Sequence, residues 1–348
     1  MGLTIETLDS AEAIRAAAGP WDDLWRRSDV SLPTARAAAT ALWVERFGSR
    51  VRAVVVREGG TWLALLPLVG RRHRGVMPVG DLPINPWLPG GELLLDLACD
   101  TDTVCDVLLR AVRRTRWPLL WLQYVPIDST RWQRVLKTAE CRGTPLRVRH
   151  RYQIGKVAIA GTWNEFLASR SKNLRRSLRK DSERLNGQGA TAFDWADRFA
   201  PEEVEPALRS ALEIELRSWK ADRGRPVLAA SGMLDFYTGV GKQLAAWNML
   251  RVARLEHAGR TVAFEIGWIA RRVYHSYKVG FDSSYREFGP GHLLRMQIAR
   301  RFFETGEVDW IDFQGPLTEA LAAWSTDTYA IGRVAIATKW LGRFFLRA

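Results

Sequence analysis

Cysteine is nearly absent: only Cys99, Cys105 and Cys141 occur in 348 residues. So scattered a set excludes a disulfide framework, and neither these thiols nor the five histidines show metal-ligand spacing, so no disulfide and no metal is expected. Long apolar runs are missing as well. No stretch approaches the roughly 18 uninterrupted apolar residues of a membrane span, and the opening MGLTIETLDS has neither a basic n-region nor an apolar run. This predicts a cytoplasmic protein with no transmembrane segment. Acidic residues are the minority, 38 against 51 Lys and Arg, which leaves a formal net charge of +13. Such a surface attracts polyanions, whether nucleic acid, anionic lipid or a nucleotide with several phosphates, and charge alone does not choose among them. What is plentiful is apolar material. A content of 47% hydrophobic residues supplies cores for two domains of ordinary length. Most of the sixteen tryptophans are expected in those cores, with a few lining a cleft.

Helix and strand patterns alternate throughout, and two stretches repeat one another. A helical stretch, Ala35 to Phe47, precedes VRAVVVRE, a Gly59-Gly60 turn and TWLALLPLV, a predicted β-hairpin. A second helical stretch, Leu234 to Trp247, precedes LRVARLEHAGRTVAFEIGWIA, again strand, glycine turn and strand. Downstream, CDVLLRAVRRTRWPLLWLQYV matches GHLLRMQIARRFFETGEVDWIDFQG, each a helix followed by a Trp-containing strand with a glutamine near its end, Gln123 and Gln314. The same elements in the same order predict two copies of one α/β unit, divided near residue 150 into 1–150 and 151–348.

The copies differ where a helix starts. In EFGPGHLL, the run Gly289, Pro290, Gly291, His292 and Leu293 opens a helix without a side-chain wall, and its free N–H groups and dipole predict a phosphate site. The first copy has Asp100, Asp102 and Asp106 at the matching place, carboxylates that cap a helix and repel a pyrophosphate. The donor site is therefore expected in the second copy, with the first a degenerate scaffold.

Four segments carry a family resemblance: SRSKNLRRSLRK (Ser169 to Lys180), ELRSWK (Glu215 to Lys220), YKVGFD (Tyr277 to Asp282) followed by FGPG, and VDWIDFQG (Val308 to Gly315). In their order and spacing the second half resembles the GNAT superfamily, in particular the CelD/BcsL-type acyltransferases, relatives of the Fem-type aminoacyltransferases of peptidoglycan. The resemblance implies an α/β (α+β) fold of tandem GNAT-like domains, each a mixed, mostly antiparallel sheet flanked by helices, with the N-terminal copy degenerate. It implies acyl transfer from acyl-CoA, or from an acyl carrier, to an amine on an amino sugar, a peptide or a small molecule. Aminoacyl-tRNA is the alternative donor, favoured by the positive charge, and a non-catalytic binding protein is the second alternative.

Residue by residue, WNEFLASRSKNLRRSLRKDSERL reads as one long helix with Leu167, Leu174, Leu178 and Leu185 in a stripe. Its basic residues suit phosphate oxygens, and the resemblance selects Lys172, Asn173 and Arg176 for donor contact. The resemblance also places Trp219 and Lys220, with Glu215 at helical spacing, on the acceptor side. Direct attack on a thioester needs backbone donors for the oxyanion and a base for the ammonium proton. In RTVAFEIGWIA, alternation sets Glu265 with Ala263, Gly267 and Ile269, a carboxylate in an apolar strand whose burial would raise its pKa into a useful range. A structural Glu paired with an arginine is the other reading. In VYHSYKVGFD, alternation sets His275, Tyr277 and Val279 on one side and Tyr274, Ser276 and Lys278 on the other. His275 is the alternative base, and a tyrosine such as Tyr277 could protonate the leaving thiolate. Lys278, Asp282 and Gln314 complete the substrate set, Asp282 being as suited to fixing the turn into the donor loop. The tail KWLGRFFLRA reads as a short amphipathic helix that either packs on its domain or touches anionic lipid.

Overall fold

A computed structural model describes residues 2–48, 50–218 and 226–347. They divide into one unit of Met1–Gln153 with Tyr329–Ala348 and a second of Ile154–Thr328. The first contains β1 (Leu3–Leu8), α1 (Ala11–Ala16), α2 (Ala18–Arg27), α3 (Ala37–Phe47), β2 (Val51–Glu58), β3 (Thr61–His73), β4 (Met77–Asp81), the short β5 (Leu94–Leu95), α4 (Thr101–Arg113), β6 (Leu119–Pro126) and α5 (Thr130–Cys141). β7 (Leu146–Ala158) leads the chain into the second unit. There follow α6 (Trp163–Ser169), α7 (Lys172–Asn186), β8 (Thr191–Ala196), α8 (Val204–Leu216), α9 (Met233–Ala246), β9 (Leu250–His257), β10 (Arg260–Ala270), β11 (Val273–Phe281), α10 (Pro290–Thr305), β12 (Trp310–Pro316) and α11 (Glu319–Ala322). β13 (Asp327–Ala337) and α12 (Trp340–Arg347) then return to the first.

Both predicted hairpins form. β2 and β3 pair antiparallel with Val54 opposite Leu66, and β9 and β10 pair with Val252 opposite Ile266. The second turns at Ala258 and Gly259, both at positive φ (48° and 76°), a twist that matches that of the flanking strands. In the first unit the strand order is β1-β2-β3-β4-β6-β13 and in the second β8-β9-β10-β11-β12-β7. The directions correspond at every step: β4 with β6 and β11 with β12 are the parallel pairs, and the rest are antiparallel. Each sheet is thus mixed and mostly antiparallel, with its own apolar core, one around Leu66, Leu120, Trp132 and Val334, the other around Leu255, Tyr274, Leu294 and Phe302. The closing strands are exchanged. β13, the last strand in sequence, pairs with β6, while β7 pairs with β12. A cut at residue 150 leaves Tyr329–Ala348 with the second half, whereas the structure builds it into the first unit.

The long basic helix is broken in two. Ser171 accepts a hydrogen bond from Leu174 N at 3.2 Å and caps a new helix, and Arg170 stays extended with its guanidinium on the carbonyls of Trp324 and Ser325. Such a cap offers the backbone an alternative to continuing the helix. Leu174, Leu178 and Leu185 remain buried on one face of α7. Among the described residues no helix is long and apolar enough to cross a membrane, and no group of His, Cys, Asp and Glu could hold a metal ion.

Candidate active site

β11 and β12 pair at three positions only: Val273 with Trp310, Tyr274 with Ile311 and His275 with Asp312. Beyond these the two strands no longer pair with each other. On its opposite edge, β11 slips by one against β10. Ile266 faces Lys278 and Gly267 faces Ser276, so Tyr277 is the extra residue of a bulge. The bulge corrects the alternation read from the sequence. Lys278 joins His275 and Tyr277 on one face, and Val279 moves to the face of Glu265, because one inserted residue inverts everything after it. Gly280 is required here, since a Cβ would lie 2.5 Å from the Phe264 ring.

On the face toward α8 and α9, the Tyr277 hydroxyl lies 2.9 Å from that of Tyr237, and its ring centroid is 4.6 Å from that of Trp268. Burial raises the pKa of both tyrosines, and the Glu215 carboxylate adds to the effect, so both hydroxyls keep their protons at neutral pH. Glu215 is buried in α8 and accepts from Val227 N at 2.9 Å. Lys278 Nζ stands 5.5 Å and 5.7 Å from the ring centroids of Tyr237 and Tyr277. His275, 1% exposed, has the Gln314 side-chain amide 3.0 Å from Nδ1. Gln314 is held at positive φ (54°) while its N–H donates to Asp312 at 2.9 Å. The structure therefore brings together His275, Tyr277, Lys278, Glu215 and Gln314. Tyr237, an aromatic in an amphipathic helix, carried no signal in the sequence. Trp219 and Lys220 lie outside the described residues.

Glu265 is on the other face. It is 3% exposed, and burial raises its pKa, opposed by Arg295 of α10 and by the hydroxyls of Ser276 and Tyr274. Burial likewise lowers the pKa of Arg295, opposed by Glu265. The guanidinium carbon of Arg295 lies 5.2 Å from the ring centroid of Phe313, just past the end of the parallel pairing. Arg295 sits one turn before the buried Ala299, a cation among core-facing positions that the sequence pattern already displays.

α10 starts where expected, with Gly289 at φ 56° as its cap and no side-chain acceptor there. Its donors are fewer than the sequence suggests. Pro290 has no N–H, the Gly289 N–H goes to Arg286 O, and those of His292 and Leu293 both go to Gly289 O at 2.9 and 3.1 Å. Gly291 is left to present its N–H, and a side chain there meets only Phe281 at 3.5 Å. The His292 ring is engaged: Trp324 Nε1 donates to its Nδ1 at 3.1 Å, and burial lowers its pKa. A carboxylate borders the site, for Asp181 of α7, bonded to Ser177 at 3.0 Å, would lie 2.9 Å from a Cβ on Gly289. α4 of the first unit contrasts: Asp100 caps it through Thr103 N at 3.3 Å, and Asp106 pairs with Arg110 and Arg142.

Lys172, Asn173 and Arg176 are exposed at the start of α7, together with Arg175 and Lys180. Asp282 is a structural residue: it accepts from Ser284 N at 3.0 Å, from Ser284 Oγ at 2.7 Å and from Arg217 Nε at 3.0 Å. Burial works to raise its pKa, but these donors outweigh burial and hold the carboxyl below the usual range.

Residues 172–320 match the family model of the acetyltransferase (GNAT) domain. No curated protein matches the sequence. Among solved structures, FemX superposes with a TM-score of 0.63 at 9% identity, covering 98% of this chain and 100% of that one. L-PGS from Bacillus licheniformis gives 0.55 at 10% identity over 94% and 95%, and a tandem GNAT protein from the clavulanic acid biosynthesis pathway gives 0.50 at 12% over 97% and 99%. At such identities the likeness is one of fold. The matched segment takes in α7, both parting strands and the start of α10, so residues 172–320 resemble an acetyltransferase (GNAT) domain, and in fold the chain is similar to a tandem GNAT protein.

Proposed function

We propose that the second unit is an N-acyltransferase of the cytoplasm that uses acyl-CoA as donor and an amine as acceptor, reacting in a ternary complex where β11 and β12 part. The observation that carries this reading is the three-residue parallel pairing, ending beside a helix start that is open at Gly291. A pantetheine arm can take the place of the missing strand partner, with the donor phosphates toward α10 and the basic start of α7. The acceptor nitrogen forms the new C–N bond as the C–S bond breaks. The thiolate takes a proton from the Tyr277 hydroxyl, and His275, on the same face, takes the proton of the amine. Glu265 then serves to hold Arg295 rather than as the base. The N-terminal copy, with its acid-capped α4, is a scaffold without donor, and the CelD/BcsL-type grouping follows from the motifs.

A second reading is supported by the exposed basic face of α7, where among the described residues no carboxylate pairs with Lys172, Arg175, Arg176 or Lys180, and by the fold shared with FemX and L-PGS. Here aminoacyl-tRNA is the donor. Thermal stability of the purified protein against CoA, acetyl-CoA, a long-chain acyl-CoA and bulk tRNA separates the two. A thioester-dependent rise in Tm that Gly291→Asp abolishes is the expected result. A shift with tRNA alone moves the assignment to aminoacyl transfer.

A further inference from the structure

One face of the first unit's sheet is covered only in part, by α12. Leu346 packs on Met77, Val79, Leu119 and Ala335, and Gly342 lies so near the Pro118 carbonyl that a Cβ would come within 2.0 Å of its oxygen. The Thr338 and Lys339 N–H groups donate to that same carbonyl at 3.1 and 3.2 Å. This eight-residue helix, too short to persist alone in water, is thus held in shape by docking. Its outer side is apolar. Trp340 is 77% exposed and Phe344, one turn on, 67%, with Leu341 and Phe345 beside them. Lys339 and Arg343 flank these side chains, and from Thr328 onward the sequence has Arg333, Lys339, Arg343 and Arg347 but no Asp or Glu.

The charge excess continues along the sheet. Trp121 carries the Arg333 guanidinium at 4.5 Å and the His73 ring at 4.4 Å. Arg333 and Arg151 line a shallow pocket with Gln123, Tyr124 and Tyr152. Burial lowers the pKa of Arg333, as do the charges of Arg151 and Arg149, and its Nε is buried without an acceptor. Asp81, the carboxylate that opposes this, is already engaged by Arg71 and Gln123. Among the described residues no carboxylate forms an ion pair with Arg149, Arg151 or Arg333. Clustered guanidinium groups of this kind await an anion, and an exposed Trp and Phe await an apolar phase.

We propose that this face docks on an anionic lipid surface: Trp340 and Phe344 enter the headgroup boundary, Lys339 and Arg343 lie among the headgroups, and the Arg151 and Arg333 guanidinium groups meet a lipid phosphate at the surface. A basic patch fits RNA equally well, and single bases can stack on Trp340 or Phe344, but the exposed set also holds the aliphatic Leu341 beside Phe345, and a bilayer covers all four side chains while meeting the basic residues. The proposal is independent of the donor assigned to the second unit.

The test is co-sedimentation of the full chain with phosphatidylglycerol-containing vesicles and with pure phosphatidylcholine vesicles across a salt series. Binding to the first alone is expected, weakened about tenfold or more by Trp340→Ser with Phe344→Ser. Arg151→Gln with Arg333→Gln should weaken it and flatten its salt dependence. Circular dichroism and Tm of each variant must match the parent. Absence of binding to anionic vesicles, binding that neither pair of substitutions changes, or a dimer in solution that the aromatic substitutions dissolve would each overturn the proposal. So would binding of bulk RNA without binding of vesicles.

Discussion

At the scale of single residues, the bulge at Tyr277 matters most, because it brings Lys278 to the face of His275 and Tyr277 and away from that of Glu265. Tyr277→Phe retains the ring packing on Trp268 and loses the hydroxyl, so kcat should fall by about 100-fold or more with donor KM and Tm nearly unchanged. Glu265→Gln should behave in the opposite way. The charge that opposes the burial of Arg295 is then gone, and a lower denaturant-derived stability is expected, without a comparable loss of kcat in the folded fraction. A Glu265→Gln variant of normal Tm and collapsed kcat would instead make Glu265 the base. Asp282 supplies a pH test. Its carboxyl is held below the ordinary Asp value of about 3.9, so the stability it contributes is complete above that value and disappears as pH falls through the depressed one. Asp282→Asn should lower stability by about 1–3 kcal/mol at neutral pH and make the acid limb of the unfolding curve shallower.

At the scale of elements, the start of α10 is a compromise between a turn and an anion site. The Gly289 conformation permits the abrupt entry into the helix, yet the same turn consumes the His292 and Leu293 donors and brings Asp181 alongside. A carboxylate at this distance repels a donor phosphate. Asp181→Asn should therefore tighten CoA binding about three- to tenfold by calorimetry, with the gain shrinking at high salt. Unchanged or weaker binding would put the donor phosphates elsewhere. The break between α6 and α7 is of the same kind: a serine cap decides where the basic helix begins, and so puts Lys172 and Asn173 in its first turn.

At the scale of the whole chain, the first unit's sheet is closed by a strand from outside its own run of sequence. β13 supplies Val334 and Ile336 to the first unit's core and pairs with Leu122 and Leu120 of β6. Residues 1–153 alone should consequently fail to unfold cooperatively, and should recover a sharp thermal transition when 329–348 are joined through a flexible linker. Residues 154–328 carry their own closing segment, Ile154 to Ala158, and should fold alone. Cooperative unfolding of 1–153 by itself would disprove the dependence.

Much of this was legible in the residues themselves. The two hairpins, the helices before them, the glycine-capped α10 and the acid-capped α4 follow from local rules of period, turn and cap, and those rules act over a few neighbouring residues wherever the segment ends up. The α/β class and the order of elements follow from the same source. Four features were decided by packing: the bulge that moves Lys278 to the face of Tyr277, the burial of Glu265 within the field of Arg295, the arrival of Tyr237 at Tyr277, and the return of Tyr329–Ala348 to the first unit. Each joins groups distant in sequence or turns on one residue of register, and neither a hydrogen bond across 40 positions nor a strand's choice of partner leaves a trace in the local pattern.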